Sequence, residues 1–169
     1  MAGPDEIRIR PLSQADARDL KRMLQLALFV PPGSSPLPPD VVESPELARY
    51  VEDWCRETDL GFAALDDSGR MIGAAWLRLM TGEEHGYGYV DDQTPELSVA
   101  LEEDYRGTGI GTRLLERLLS AAAERYLAVS LSVTEVNPAV RLYGRLDFVT
   151  VRQESGTLTM LKTLTEETK

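Results

Sequence analysis

Apolar and polar residues follow two different spacings along this chain, and the change falls near residue 60. Residues 7–10 alternate apolar and charged side chains, which is typical of a strand, and Pro11 ends it. After Ser13, a residue that can cap a helix, apolar residues recur every three or four positions and predict an amphipathic helix. A second helix is predicted to start at Ser44-Pro45, since proline suits the first helical position. Its apolar side is formed by Leu47, Tyr50, Val51 and Trp54.

The segment between these two helices, residues 30–40, cannot be regular because it holds five prolines and a glycine. Loops of this length are usually functional lids or disordered. From Leu60 the pattern favours strands: two apolar runs, 60–65 and 71–80, flank a short Asp-Asp-Ser-Gly segment and predict a hairpin. Residues 81–93 are polar and glycine-rich, which indicates a connection or an irregular edge.

The second half of the chain alternates strands and helices. The predicted elements are a strand over 96–101, a helix over 109–125, a strand over 127–133, a helix over 138–146, and a closing hairpin over 148–153 and 157–162. The whole order is β α α β β β α β α β β. Because the strands around the long helix form a strand–helix–strand unit, we expect them to be parallel with a right-handed crossover. The fold class is therefore a mixed α/β sheet.

Composition limits the classes of protein to which the chain can belong. Its 169 residues, 43% hydrophobic, suit a single domain over 1–169. The net charge of −10 should repel phosphate backbones, so no nucleic-acid partner is expected. No apolar run is long enough for a membrane helix, and the N-terminus lacks the apolar core of a signal peptide. The single Cys55 cannot form an internal disulfide, which favours a cytoplasmic location. No metal site is predicted.

The strongest local signal is a glycine-rich turn, Arg106 to Thr112 (RGTGIGT), which follows a predicted strand and opens the long helix. Glycines there let the backbone curl with its N–H groups pointing inward, and no Cβ blocks a ligand. The helix N-terminus adds unpaired N–H groups and a partial positive charge. The turn is therefore predicted to cradle an anion such as a pyrophosphate, with Arg106 as a cation beside it.

Three classes of cofactor site use such a turn. A P-loop needs a lysine followed by serine or threonine, and this turn has no such lysine. A dinucleotide fingerprint needs a wider glycine spacing and an acidic residue about 20 positions later, and the strand over 127–133 offers no acid. The spacing therefore weakens the case for a nucleotide-binding oxidoreductase. The third class is coenzyme A. Its pyrophosphate needs the same cradle, but no acidic residue to bind a ribose hydroxyl.

Two motifs resemble those of the GNAT superfamily of acetyl-CoA-dependent N-acetyltransferases. RGTGIG at 106–111 matches the superfamily's R/Q-x-x-G-x-G/A motif, and NPAVRLYGRLDF at 137–148 is similar to its signature N-x-x-A-x-x-x-Y-x-x-x-G-F. Residues 96–101 resemble its central strand. The resemblance follows the element order over roughly 6–163 and is sharpest over 96–148. It implies a GNAT-like fold, a mostly antiparallel mixed sheet of about seven strands with helices on both faces.

Two positions depart from the superfamily pattern. Asp147 stands where the superfamily has glycine, and because aspartate tolerates the left-handed conformation moderately well, we expect a cost in stability rather than in function. Residues 102–104 are Glu-Glu-Asp where the superfamily often has a proline after the central strand. Three acids beside a pyrophosphate site are electrostatically unfavourable unless they point to solvent.

The resemblance also implies which residues bind acetyl-CoA. The pyrophosphate would be held by the backbone amides of Gly107, Thr108, Gly109, Ile110, Gly111 and Thr112. Backbone groups of Val99 and Leu101 would pair with the pantetheine arm like an extra strand, in a gap where the central strand and the next one splay apart. Backbone N–H groups of this strand would also stabilise the developing oxyanion. Asn137 would lie near the arm as the cap of the following helix.

Two side chains match catalytic positions of the superfamily. Tyr143 matches the residue whose hydroxyl protonates the leaving sulfur, although its place on an amphipathic helix is also compatible with a core residue. Glu96 matches a position that often acts as general base, commonly through water, and could also be a solvated carboxylate or a substrate anchor. The resulting hypothesis is an N-acetyltransferase that moves acetyl from acetyl-CoA to an amine by direct attack in a ternary complex. The alternative is a non-catalytic acyl-CoA-binding sensor domain.

The acceptor is left open by the sequence. The acceptor would be selected by residues 30–40, the second helix and residues 81–93, and none of these segments contains a recognisable binding motif. A small-molecule amine and a protein or peptide amine are both compatible with the motifs. Exposed edge strands make a homodimer possible.

Overall fold

Within residues 6–164, the part of the chain that the computed structural model describes, seven strands form one sheet in the order β1-β2-β3-β4-β5-β7-β6. The strands are β1 (Arg8–Pro11), β2 (Leu60–Leu65), β3 (Met71–Arg78), β4 (Glu96–Leu101), β5 (Ala128–Thr134), β6 (Val149–Glu154) and β7 (Thr157–Thr163). The α-helices are α1 (Ala17–Ala27), α2 (Pro45–Ala48), α3 (Ile110–Ala122) and α4 (Ala139–Arg145). The mixed α/β class and the predicted element order are both confirmed.

All strand pairs of this sheet are antiparallel except β4 with β5, which flank α3 and run parallel. β3 and β4 pair over six positions, and β5 and β7 over seven. Between β4 and β5 the register holds only one pair, Glu96 with Ser130. The sheet is therefore two well-paired halves, β1 to β4 and β5-β7-β6, that meet at a single backbone bridge.

Helices cover both faces of the sheet, and each face has its own core. On one face α3 packs on β2, β3 and β4, and Ile110, Leu114, Leu115 and Leu118 are fully buried. On the other face α1 packs on β3 and β4, with Leu20, Met23 and Trp76 fully buried. β3 is buried along its whole length because both cores use it. Among the described residues no helix is long and apolar enough to cross a membrane.

The second helix is much shorter than its apolar spacing predicts. α2 ends at Ala48, and the chain continues in turns in which Tyr50, Val51 and Trp54 are nonetheless buried. The cause is the guanidinium group of Arg78, which donates hydrogen bonds to two carbonyls of this segment, those of Arg49 at 3.1 Å and Glu52 at 2.5 Å. A continued helix would need those carbonyls for its own amides.

Arg78 also anchors the end of the same segment. Its Nε and Nη2 donate to the two carboxylate oxygens of Asp59 at 3.1 and 2.7 Å, and both side chains are almost completely buried. The second oxygen of Asp59 also accepts the backbone amides of Cys55 and Arg56. Because a buried charge is tolerated only when paired and hydrogen-bonded, this network fixes the path of residues 49–59 along β3.

The two departures from the GNAT pattern have local explanations. Asp147 has φ of 73°, in the left-handed region that its glycine counterpart would adopt freely. Glu102 forms ion pairs with Arg22 and Arg70. The two following acids lie in an exposed 3-10 turn, so one of the three charges is neutralised and the others are solvated.

We expect Asp147→Gly to raise the free energy of unfolding by about 0.5–1 kcal/mol, because glycine adopts positive φ without a Cβ penalty. The ion pair lost, with Lys162 at 4.0 Å, contributes little because the Asp147 side chain is 87% exposed. Thermal unfolding should show a rise in Tm of about 1–4 °C. Asp147→Ala is the control and should lower Tm; equal behaviour of the two variants would show that this φ carries no strain.

Candidate active site

The site begins where β4 and β5 part. The Ser130 amide donates to the Pro95 carbonyl at 3.0 Å, so the backbone groups of odd-numbered residues here face β5. The amide of Glu102, an even-numbered residue, donates to the Ile72 carbonyl on β3, as expected when alternate residues of a strand face opposite neighbours. Val99 and Leu101 consequently direct their N–H and C=O groups toward β5, beyond the last paired residue. These are the two positions predicted to pair with a pantetheine arm.

A cavity of about 390 Å³ lies against this unpaired edge. Four predicted site residues line it together: Glu96 and Val99 from β4, Asn137 from the turn after β5, and Tyr143 from α4. Leu101 and the glycine turn lie further along, past the end of β4, and do not line the cavity. The enclosed carboxylate and the exposed turn therefore lie at the two ends of β4.

The carboxylate of Glu96 is 5% exposed and is held on one side only. Its Oε2 accepts a hydrogen bond from the Tyr50 hydroxyl at 2.6 Å, and that hydroxyl in turn accepts the Tyr87 amide at 2.8 Å. Its Oε1 is buried and has no hydrogen-bond partner among the described residues. An unpartnered buried carboxylate oxygen is costly, so it favours either a proton or a ligand at this position.

Burial dominates the acidity of this group. It raises the pKa of Glu96 to about 7, against the opposing effect of the hydrogen bonds from Tyr50 and the Gly88 amide, which favour the charged form. The same burial, together with the Glu96 charge, raises the pKa of Tyr50 well above its usual value. Tyr50 therefore stays a hydrogen-bond donor, and Glu96 can take up or release a proton near neutral pH.

Two glycines of the 81–93 segment allow it to lie directly over this carboxylate. A Cβ at Gly86 would overlap Glu96 Oε1 and the Tyr50 hydroxyl. A Cβ at Gly88 would come within 2.7 Å of the Leu131 backbone and 3.0 Å of Glu96 Oε2. Both glycines are buried, although His85 and Tyr87 beside them are exposed. The segment predicted as a connection is thus the roof of the Glu96 pocket.

Tyr143 lies on the β5 side of the cavity, 7% exposed, with its ring edge-on to Phe148 at 5.8 Å between centroids. Burial raises the pKa of Tyr143 to about 12, so its hydroxyl keeps its proton at neutral pH. Asn137 caps the helix that carries it, since its Oδ1 accepts the Ala139 amide at 2.9 Å. The predicted capping role of Asn137 is confirmed, and Tyr143 is at once a packed and a cavity-lining residue.

The glycine turn is open and its amides are free. Gly107 and Gly109 have φ of 75° and 89°, and a Cβ on either would meet no heavy atom within 4 Å. In the described part of the chain, no amide from Gly107 to Thr112 donates to a carbonyl or side chain; the next amide, of Arg113, donates to the Gly109 carbonyl at 3.1 Å. The turn therefore presents consecutive unpaired N–H groups at the N-terminus of α3.

The other residues of the turn have distinct structural roles. Arg106 is exposed, and its Nε donates to the Leu101 carbonyl at 2.9 Å, which keeps the cation beside the turn and partly covers the end of β4. The Thr108 hydroxyl closes the turn on the Tyr105 carbonyl at 2.5 Å. Ile110 is fully buried in the core, so only its backbone amide faces the turn. Arg106 thus lies beside the unpaired amides, and Thr108 and Ile110 anchor the turn that carries them.

Sequence reasoning missed Tyr50, Gly86 and Gly88. Tyr50 was assigned to the apolar side of a helix, and its bond to Glu96 joins residues 46 positions apart, which no local pattern encodes. The two glycines belong to the Gly-Tyr-Gly string of residues 86–88, and their alternation is a signal for close backbone approach. His85, in the same segment, is exposed and stacks on Tyr89 with 4.2 Å between ring centroids.

Comparison with known proteins gives one family. The model of the acetyltransferase (GNAT) family matches residues 22–148. The structure is similar to the GNAT domain of PAT from S. lividans, at a TM-score of 0.65 and 18% identity, over 93% of this chain and 90% of that one. No curated protein matched the sequence at a significant level.

Two further structures share this fold. One is YhbS, a GNAT family N-acetyltransferase from Escherichia coli in complex with CoA, at a TM-score of 0.65 and 23% identity over 95% of this chain and 83% of that one. The other is a GNAT superfamily phosphinothricin acetyltransferase from Sinorhizobium meliloti in complex with AcCoA, at a TM-score of 0.64 and 20% identity over 95% of this chain and 90% of that one. At these identities the likeness establishes the fold.

We expect Tyr50→Phe to raise the pKa of Glu96 above about 7, because it removes a hydrogen bond that favours the ionised carboxylate. The measurement is a carbon-13 NMR titration of the glutamate carboxyls, with Glu96 assigned through Glu96→Gln. Tyr126→Phe is the matched control, since the Tyr126 hydroxyl donates to the Thr58 carbonyl at 2.6 Å and has no contact with Glu96. A Glu96 pKa unchanged by Tyr50→Phe would show that the hydrogen bond has no influence on its ionisation.

Proposed function

Because the chain belongs to the acetyltransferase (GNAT) family, we propose that it transfers the acetyl group of acetyl-CoA to a primary amine in a ternary complex. The observation that carries the proposal is that a buried carboxylate and a buried phenol, Glu96 and Tyr143, line one cavity at the unpaired edge of β4. The CoA and AcCoA found in the two neighbouring structures from Escherichia coli and Sinorhizobium meliloti support the choice of acyl donor.

Acetyl-CoA would bind along the edge of β4 that faces β5, from the glycine turn to the cavity. The unpaired amides from Gly107 to Thr112 fit a pyrophosphate, and the guanidinium of Arg106 adds a positive charge next to it. The pantetheine arm would use the backbone groups of Val99 and Leu101 as a neighbouring strand would. Asn137, at the cavity wall, lies where it can contact the same arm.

The reaction requires one proton to leave the amine and one to reach the sulfur. The amine nitrogen attacks the thioester carbonyl carbon, a C–N bond forms and the C–S bond breaks. Glu96 would accept the amine proton, directly or through water, and Tyr143 would donate its proton to the leaving sulfur. Backbone N–H groups of β4 facing the gap would stabilise the charge that develops on the carbonyl oxygen. Since burial raises the pKa of Glu96 to about 7, activity should rise as the pH passes that value.

The direct test is release of free thiol from acetyl-CoA in the presence of amines. We expect release above background with at least one amine, and a Tyr143→Phe rate roughly 10²-fold lower, because the sulfur loses its acid. Stabilisation of the protein by CoA in thermal melts should be equal in both proteins, which separates chemistry from binding. Stabilisation by CoA without thiol release for any amine would instead support a non-catalytic acyl-CoA sensor.

Binding itself is tested at the glycine turn. Gly109→Asp should weaken acetyl-CoA binding at least 10-fold by calorimetry, because it places a negative charge and a side chain where the pyrophosphate would lie. Gly69→Asp is the matched control: Gly69 has a similar positive φ, 87° against 89° for Gly109, and equally open surroundings, but lies in the β2–β3 hairpin. Equal affinity of the two variants would refute this site.

A further inference from the structure

The cavity extends beyond the β4 edge into an apolar chamber that the acyl-transfer chemistry does not itself require. Its wall is built by the end of α1 and the irregular segment after it. The wall residues are Ala27, Leu28, Phe29, Leu37, Val41 and Leu47. Leu37 and Tyr87, which are 37% and 58% exposed, form the side that opens to solvent. The chamber therefore offers apolar contact to a molecule that enters from outside.

Charge in this chamber is confined to one place. Among the described residues that line the cavity, Glu96 is the only one with a carboxylate, and none carries a positive charge at neutral pH. Its Oε1 is buried and without a hydrogen-bond partner, so it can accept one N–H donor. A molecule that fits both features has a single amino group next to an uncharged apolar body.

We propose that the acceptor is a primary amine attached to an apolar aliphatic or aromatic group, with its nitrogen toward Glu96 and its body in the chamber lined by Leu28, Phe29 and Leu37. This inference rests on the proposed acetyl transfer and adds the class of substrate. A second ammonium on the body would be desolvated among apolar side chains with no carboxylate to pair with. A carboxylate beside the amino group would lie next to Glu96 and be repelled.

The experiment compares matched amines as acceptors. Lengthening the chain from butylamine to hexylamine should raise kcat/KM about fourfold per methylene, as expected for ~0.8 kcal/mol per buried CH₂. 1,6-Diaminohexane differs from hexylamine by one terminal ammonium and should be at least about 10-fold poorer. Phenylalanine should likewise be poorer than 2-phenylethylamine, from which it differs by one carboxylate.

A variant tests whether the chamber determines the preference for hexylamine over 1,6-diaminohexane. Leu37→Asp places a carboxylate at the chamber wall and should reverse the preference toward 1,6-diaminohexane; because Leu37 is partly exposed, the fold should tolerate it. Leu127→Asp introduces the same charge at a residue that is 76% exposed and does not line the cavity, and should leave the preference unchanged. Equal shifts in both variants would contradict the assignment.

Measuring amine binding without turnover distinguishes the proposed substrate class from the proposed acetyl transfer. In the presence of CoA, hexylamine should raise Tm more than 1,6-diaminohexane does, whether or not acetyl transfer follows. That result with no thiol release would overturn the proposed reaction but support the chamber. Turnover that favours the diamine or the amino acid would overturn the substrate class and leave acetyl transfer intact. A preference for octanoyl-CoA over acetyl-CoA, with no effect of amine length, would assign the chamber to the acyl chain and refute this proposal.

Discussion

The candidate site depends on one missing strand contact. β4 and β5 flank the same helix and start side by side, but only Glu96 and Ser130 pair before they diverge. A buried edge with unpaired N–H and C=O groups is costly in a folded protein unless a ligand or water satisfies them. β5 pairs with β7 over seven positions and β4 with β3 over six, so each strand that borders the gap is hydrogen-bonded along its other side. The gap can therefore stay open without loss of the fold.

The position of the buried carboxylate rests on a second set of contacts, between the α2–β2 segment and β3. Arg78 holds this segment through two backbone carbonyls and Asp59, and the indole N–H of Trp76 donates to the Tyr50 carbonyl at 3.1 Å. Tyr50 is thereby fixed where its hydroxyl reaches Glu96. A buried ion pair is weak evidence for stability, but here it selects one path for the chain, and that path fixes the donor to the candidate base.

The sequence pattern was sufficient to predict those parts of the site that are formed by residues close together in the chain. The glycine turn, the α3 helix and the Asn137 cap were predicted because backbone conformation and capping depend on neighbours in sequence. The second helix was predicted too long, since its apolar spacing is real but Arg78, more than 20 residues away, takes its carbonyls. Neither the bond between Tyr50 and Glu96 nor the roof formed by Gly86 and Gly88 could be predicted, because each joins segments brought together only by the sheet.

This division between local and long-range features corresponds to the two substrates that we propose, acetyl-CoA and an amine acceptor. A cofactor with a fixed diphosphate can be held by backbone amides, and glycines in a short turn suffice to expose them, so that site is written in consecutive residues. The proposed acceptor pocket must instead match a variable substrate body, and its wall is formed by α1, a proline-rich segment and the loop that holds Gly86 and Gly88. Prolines in residues 31–39 prevent a helix that would turn apolar side chains such as Leu37 into a continuous core. The irregular backbone keeps them at the rim of the cavity, whose lining in the described part of the chain includes a single carboxylate, that of Glu96.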